Sequence, residues 1–263
     1  MKKIRLGAME LQALFALEQN GAGVVTLAEL KSKLRLSGQQ ARKLASRLAK
    51  KRRLIRLKRG VYLFAPMKAG PRGLWTENAL ASVHKLMGKK AYYVGFWACL
   101  SHYGLTEQVP LTVQIVTPAR QRPLEALQSR FEFIQVRRLG EWREEKIGDG
   151  LVRFATVEQL IIDCLTLPEK SGGMKEACKA LWGARKIIDR KKLEALAARS
   201  KDAVRRRLGY LCELLGVHWP KPKKPVGWRW LDPSAPKKLL AKSARWGLLL
   251  NVSERELLEW REH

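Results

Sequence analysis

Three observations predict a mixed α+β fold for this 263-residue chain: three short helical patterns closed by a β-hairpin, a middle of alternating strands among helices, and helical patterns toward the end. Leu11, Leu14 and Phe15 give the first helix an apolar stripe that ends at Asn20-Gly21. Leu27, Leu30 and Leu34 fall at i, i+3 and i+7, which predicts a second helix over 27–34 with Thr26 as its N-cap. Ser37 caps a third, on which Ala41, Leu44, Ala45 and Leu48 line one face. Strands over 54–57 and 61–65 follow, joined by Lys58-Arg59-Gly60, where Gly60 supplies the left-handed residue of a three-residue hairpin loop. Helices followed by a hairpin in this order make a winged helix-turn-helix, which sets one helix into the major groove of DNA.

Charge supports that reading. The outer face of the third helix carries Gln39, Lys43, Ser46 and Lys50, flanked by Arg42 and Arg47, and no acidic residue occurs from Leu30 to Thr76. A solvated helix normally mixes charges of both signs to gain i,i+4 pairs, so a polyanionic partner explains this face better than stability does. The net charge is +28, from 52 Lys plus Arg against 24 Asp plus Glu. Residues 1–65 hold 16 basic and 3 acidic side chains, residues 66–174 hold 14 and 11, and residues 175–263 hold 22 and 10. The excess therefore sits at both ends. On this pattern Gln39, Gln40, Arg42, Lys43 and Ser46 are expected to face bases or phosphates, and Arg47, Lys50, Lys58 and Arg59 to hold phosphates.

Pro66 to Gly73 break the periodic pattern, which predicts a linker over 67–73 between a winged-helix domain at 1–66 and a larger domain at 74–263. In that domain Thr76 caps a helix to Met87, a short strand spans 91–94, and a helix runs from Phe96 to Tyr103. Strands are expected at 111–116, 131–136 and 151–154, the last after the turn Gly148-Asp149-Gly150. From Val157 helices dominate, including 173–188, 190–199 and 201–215 within a basic helical region over about 173–263. Trp219 to Pro225 read as an extended basic loop. No apolar run reaches the eighteen or so residues of a membrane span and no signal-peptide core is evident, so a cytoplasmic protein without a membrane partner is expected. Cys99, Cys164, Cys178 and Cys212 lack metal-ligand spacing and are expected to be buried free thiols, with no metal and no cofactor.

Ser101 to Pro110 (SHYGLTEQVP), Thr156 to Leu165 (TVEQLIIDCL) with Pro168-Glu169 and Gly172-Gly173, Arg207 to Leu211, Leu231 to Ser234 and Arg245 to Val252 resemble the abortive-infection (AbiE-type) antitoxin family of transcriptional regulators. The resemblance covers most of the chain, to about residue 252. It implies an N-terminal domain that represses its own operon and a C-terminal domain that neutralises a toxin, in this family a nucleotidyltransferase-like protein encoded next door. The partners implied are double-stranded DNA at the chain's own operator, where an inverted repeat needs two bound copies, and that toxin. A nonspecific RNA- or ribosome-associated protein would use the same charge.

Six residues of the larger domain are candidates for the antitoxin role. His102 reads either as a site histidine or as a polar group ending a helix. Asp163, four residues after Gln159 and five after Glu158 on an apolar helix, reads either as a buried, partnered carboxylate or as an antitoxicity residue. Arg205, Arg206 and Arg207 form a solvated face, a toxin contact or a second DNA contact. Nine tryptophans, five from Trp219 on, are expected to clamp the basic tail to the body. Glu144-Glu145-Lys146 formally contains the E-x-K of metal-dependent nucleases, yet no Asp lies between Ala65 and Glu144 to complete it. Walker, G-x-S-x-G and H-E-x-x-H motifs are absent too, and the chain reads as a non-enzyme.

Overall fold

The computed structural model describes residues 5–19, 23–65, 79–126, 129–147, 150–220 and 224–261. The Asn20-Gly21 helix stop, the linker at 67–73, the Thr76 cap, most of the turn at 148–150 and part of the loop at 219–225 lie outside them. The chain forms two compact units, one of residues 1–91, 119–132 and 145–152, the other of 92–118, 133–144 and 153–263.

The first unit opens with α1 (Ala8–Glu18), β1 (Val24–Thr26), α2 (Leu27–Lys33), α3 (Gly38–Lys50), β2 (Leu54–Lys58) and β3 (Val61–Phe64). The strands form an antiparallel sheet of order β1-β3-β2, with Thr26 opposite Val61 and Leu54 opposite Phe64. β1, absent from the sequence-based expectation, is three residues long and gives the wing a third strand. The hairpin turn carries Gly60 at φ +75°, a conformation that costs a glycine little, and the Gly60 carbonyl accepts the Leu27 amide at 2.8 Å. Leu14, Leu17, Leu30, Ala41, Leu44, Ala45, Leu48, Leu54 and Phe64 fill one core, so the stripes expected on α2 and α3 do point inward. The same unit holds α4 (Val83–Met87), which follows one 3-10 turn and falls short of the helix expected from Thr76.

The remaining elements run β4 (Tyr93–Val94), α5 (Phe96–His102), β5 (Thr112–Thr117), β6 (Leu124–Ala126), β7 (Ser129–Gln135), β8 (Trp142–Ile147), β9 (Gly150–Ala155), α6 (Val157–Thr166), α7 (Gly173–Ala184), α8 (Arg190–Arg199), α9 (Asp202–Leu214), β10 (Arg229–Trp230), β11 (Ala241–Ser243), β12 (Leu248–Leu250) and α10 (Glu254–Leu258). A six-stranded sheet has the order β6-β7-β5-β4-β9-β8, with β4 antiparallel to β5 and parallel to β9. The sequence pattern missed β6 and β8, which are its two edge strands. An edge strand need not bury one face: β8, Trp-Arg-Glu-Glu-Lys-Ile, is charged and mostly exposed, and so lacks the apolar alternation that reveals a strand.

The helical reading of the C-terminal region needs two corrections. α7 ends at Ala184, where the Ile187 and Ile188 amides turn back onto the Ala184 carbonyl, so it is shorter than 173–188. Beyond α9 the chain forms a three-stranded sheet of order β10-β12-β11, whose strands of two and three residues are too short to show a period. Trp246 fastens this sheet to α9, its indole lying over Gly209 and donating through Nε1 to the Glu213 carboxylate. A Cβ on Gly209 would stand 2.0 Å from the Trp246 ring. Gly209→Ala is therefore expected to displace Trp246 and destabilise the protein by about 1–3 kcal/mol. Urea midpoints measure this, and an unchanged midpoint argues against the packing.

Candidate nucleic-acid interface

The third helix owes its direction to both of its ends. Ser37 Oγ accepts the Gln40 amide at 3.2 Å while Gln40 Oε1 accepts the Ser37 amide at 2.8 Å, a reciprocal capping box. At the other end Arg52 takes the left-handed conformation, φ +56°, and the chain turns into β2. The turn between α2 and α3 closes through Arg35, also left-handed at φ +50°, with the Leu36 amide donating to the Lys31 carbonyl at 2.9 Å.

With Ala41, Leu44, Ala45 and Leu48 buried, the structure brings Gln39, Gln40, Arg42, Lys43, Ser46, Arg47 and Lys50 together on an exposed surface without a carboxylate of its own. Gln40, expected to read bases, is partly used: its carboxamide oxygen caps the helix. Among the described residues, the sites with a residue three places into a helix reaching back to the cap are Gly7/Glu10, Thr26/Glu29, Ser37/Gln40 and Ser253/Glu256. Three of these four use glutamate. α3 alone among them uses the neutral amide, which caps the helix without placing negative charge at the end that would approach phosphate.

Arg47 and Lys51 meet a carboxylate that the sequence reading overlooked. Glu10, buried on α1, accepts the Gly7 amide and the Lys51 ammonium and lies 3.7 Å from Arg47 Nε. Burial alone would raise its pKa, but the Lys51 and Gly7 hydrogen bonds and the two nearby cations hold it below the usual glutamate range. The Gly7-x-x-Glu10 spacing was the available signal. In the wing Arg59 is exposed as expected, while Lys58 is half-buried and donates to the Leu86 carbonyl. Burial, with Lys90 nearby, pushes Lys58 below the usual lysine range. The exposed side chains of Arg35, Arg52 and Arg56 add cations that the helical-face argument did not single out, though all lie in the acid-free stretch.

The candidates for the antitoxin role all lie in the second unit and are built into its structure. His102 stacks on Phe154, centroids 3.9 Å apart and planes 8° from parallel. Glu158 is buried and accepts the Asp189 amide at 2.9 Å, with Lys192 at 3.5 Å, which ties α6 to the start of α8. Arg205 is exposed beside Asp202. The reading of the basic run as a surface is corrected for its other two members. Arg206 is buried and donates to the Val226, Gly227 and Gly247 carbonyls, and Arg207 is buried and donates to those of Leu165 and Trp230. At 100° per residue Arg207 falls about 60° from Val204, on the Val204-Leu208-Leu211 side of α9, whereas Arg206 falls about 200° away, on the side that the C-terminal segment covers, and both guanidinium groups satisfy backbone carbonyls. Asp232 does the complementary work, accepting the Met174, Ser234 and Ala235 amides. Glu144 pairs with Arg153 at 3.0 Å, and the four cysteines are buried thiols.

Asp163 is enclosed. The Tyr93 hydroxyl donates to its Oδ2 at 2.8 Å and Gln159 Nε2 to its Oδ1 at 2.7 Å, while the Glu141 amide donates to Gln159 Oε1 at 3.2 Å. Burial pushes the Asp163 carboxyl up to about 7 despite these two hydrogen bonds. Between about pH 4, where an unfolded aspartate titrates, and 7 the folded chain keeps a proton that the unfolded chain has lost, so this group's contribution to stability falls as pH rises through that window. Asp163→Asn is expected to flatten that decline. Urea midpoints at pH 5 and pH 7.5 test it, and a variant whose midpoints run parallel to the parent's contradicts the assignment.

Comparison with known proteins adds a similar fold and, for residues 12–65, a family match. No curated protein matches the chain. Among solved structures, the crystal structure of RV2827C protein from Mycobacterium tuberculosis is similar, with a TM-score of 0.67 and 15% identity over 99% of this chain and 97% of that one. At that identity the likeness is one of fold. Among the described residues no helix is long and apolar enough to cross a membrane. Residues 12–65, from α1 through the last strand of the wing, match the family described as transcriptional regulator, AbiEi antitoxin.

Proposed function

We propose that the chain is a DNA-binding autorepressor and antitoxin that counters a nucleotidyltransferase-like toxin. Residues 1–66 read the operator of its own operon, and residues 74–263 carry the antitoxin activity. The observation that carries the DNA reading is the outer face of α3, where Gln39, Arg42, Lys43, Ser46, Arg47 and Lys50 stand exposed. A glutamine pairs bidentately with adenine and an arginine with guanine, so Gln39 and Arg42, in the first two turns, are the base readers. Lys43, Lys50 and Arg59 hold phosphates and set the register. Arg47, 3.7 Å from Glu10, gives a phosphate contact of fixed direction. The toxin partner rests on the family match and the motif resemblance, and the regulator family supports a role without catalysis.

Two copies bind an inverted repeat, each with its α3 in one half-site. Arg42→Ala is expected to change base preference at one position by about 1–3 kcal/mol, whereas Arg59→Ala weakens all duplexes alike and lowers the salt slope by about one. Gel shifts with the duplex upstream of the chain's own gene and a scrambled duplex, at several salt concentrations, separate these effects. Equal binding of both duplexes by the parent refutes sequence-specific repression, and a preference for structured RNA of equal length supports the ribosome-associated alternative instead.

A further inference from the structure

The winged helix accounts for one basic end of the chain and leaves the other unexplained. From Leu214 to Ser253 the sequence holds eight lysines and arginines and a single carboxylate, Asp232, which is buried and saturated by the amides of Met174, Ser234 and Ala235. The three-stranded sheet of this segment has one face against the body, where Leu248 and Leu250 are buried. On the other face Trp230, Leu249 and Lys242 form a row, since Trp230 pairs with Leu249 and Leu249 with Lys242 in the strand register. Trp228, two residues before Trp230, extends that face and remains 44% exposed. Lys242 Nζ lies 5.6 Å from the centre of one Trp228 ring, and Lys237 Nζ lies 5.6 Å from that of Trp230. Lys237, Lys238 and Lys242 are exposed, and among the described residues none of them pairs with a carboxylate.

An exposed indole and a half-exposed one, beside lysines that no carboxylate neutralises, are costly to leave on a surface, even though Lys237 also donates to the Pro233 carbonyl at 2.6 Å. Each indole forfeits the gain of burial, and each lysine adds to the repulsion within a chain already at +28. A single-stranded nucleic acid answers both, because bases stack on aromatic faces whatever their sequence while cations follow the backbone. Duplex DNA keeps its bases stacked inside and offers the indoles nothing. The geometry points to the outer face of this sheet as a second nucleic-acid contact, one that takes a single-stranded segment with bases on Trp228 and Trp230 and phosphates on Lys237, Lys238 and Lys242. The site is independent of the duplex-reading role assigned to α3.

The test uses the full chain, dye-labelled oligo-U and oligo-dT of about a dozen nucleotides, and fluorescence anisotropy at low and moderate salt. Trp228→Ala, at an exposed position, is expected to weaken single-strand binding by about fivefold to a hundredfold. Trp228→Phe retains most of it, Lys242→Ala lowers the salt dependence, and Arg42→Ala with Lys43→Ala leaves it unchanged while reducing duplex binding. Failure of the parent to bind either oligonucleotide at low salt overturns the proposal. So does single-strand binding that is lost with Arg42 and Lys43 but indifferent to Trp228, which places the strand on α3. Competition by a poly-glutamate peptide equal to that by oligo-U, with Trp228→Ala behaving as the parent, overturns it in favour of an acidic protein partner. A duplex result that fails while the single-strand result stands removes the repressor reading and keeps this one.

Discussion

A chain with 52 cations and 24 carboxylates has no way to pair most of its positive charge, and where it places its few carboxylates decides what its surface becomes. Many of them cap or tie helices. Glu10, Glu29 and Glu256 reach back to the amides that open α1, α2 and α10, Asp189 caps α8, Glu158 accepts the Asp189 amide, and Asp232 accepts that of Met174 in the first turn of α7. A carboxylate at a helix N-terminus satisfies an orphan amide and meets the favourable end of the helix dipole. It is thereby positioned by the backbone, and among the described residues Arg42, Lys43 and Lys50 of α3 and Lys237, Lys238 and Lys242 near the C-terminal sheet pair with no carboxylate, whereas Arg47 meets Glu10 and Arg245 meets Glu213.

The more buried cations lean on backbone carbonyls, although Arg206 also lies 2.7 Å from the Asp202 carboxylate. Arg206 and Arg207 hold the carbonyls of the C-terminal segment, and Lys58 holds that of Leu86. A charge-assisted hydrogen bond to a carbonyl is stronger than a neutral one, and it ties down segments whose backbone has no long strand or helix to join. The same run of three arginines thus splits by what packs over each residue: Arg205 stays exposed beside Asp202, while Arg206 lies under the C-terminal segment and Arg207 between the Leu165 and Trp230 carbonyls. α3 applies the charge economy in reverse. Its capping box is closed by Gln40, so the helix is fixed at its N-terminus with no negative charge added to the face that carries Gln39, Arg42, Lys43 and Ser46.

Much of the winged helix was legible in the sequence because each of its parts is specified locally. The Thr26 and Ser37 caps, the Ala41-Leu44-Ala45-Leu48 stripe and the Gly60 turn are set by residues within a few positions of one another, and all stand where the pattern put them. The strands β6 and β8 were hidden because edges of a sheet bury little, and the C-terminal sheet because its strands are two or three residues long. Helical spacing likewise placed Asp163 on an apolar helix, but Tyr93, seventy residues away, is what closes its site.

The sequence by itself determined the sign and distribution of charge, the caps and apolar stripes of the helices, and the face of α3 that meets solvent, since these follow from composition and from periods of a few residues. The tertiary structure alone decided which charged groups are buried and which partner each one has. Glu10 meets Lys51, Arg207 meets the Leu165 carbonyl, and Trp228 meets Lys242, across separations of 41, 42 and 14 residues. Such pairings depend on how the elements pack, and no local pattern encodes a partner that distant.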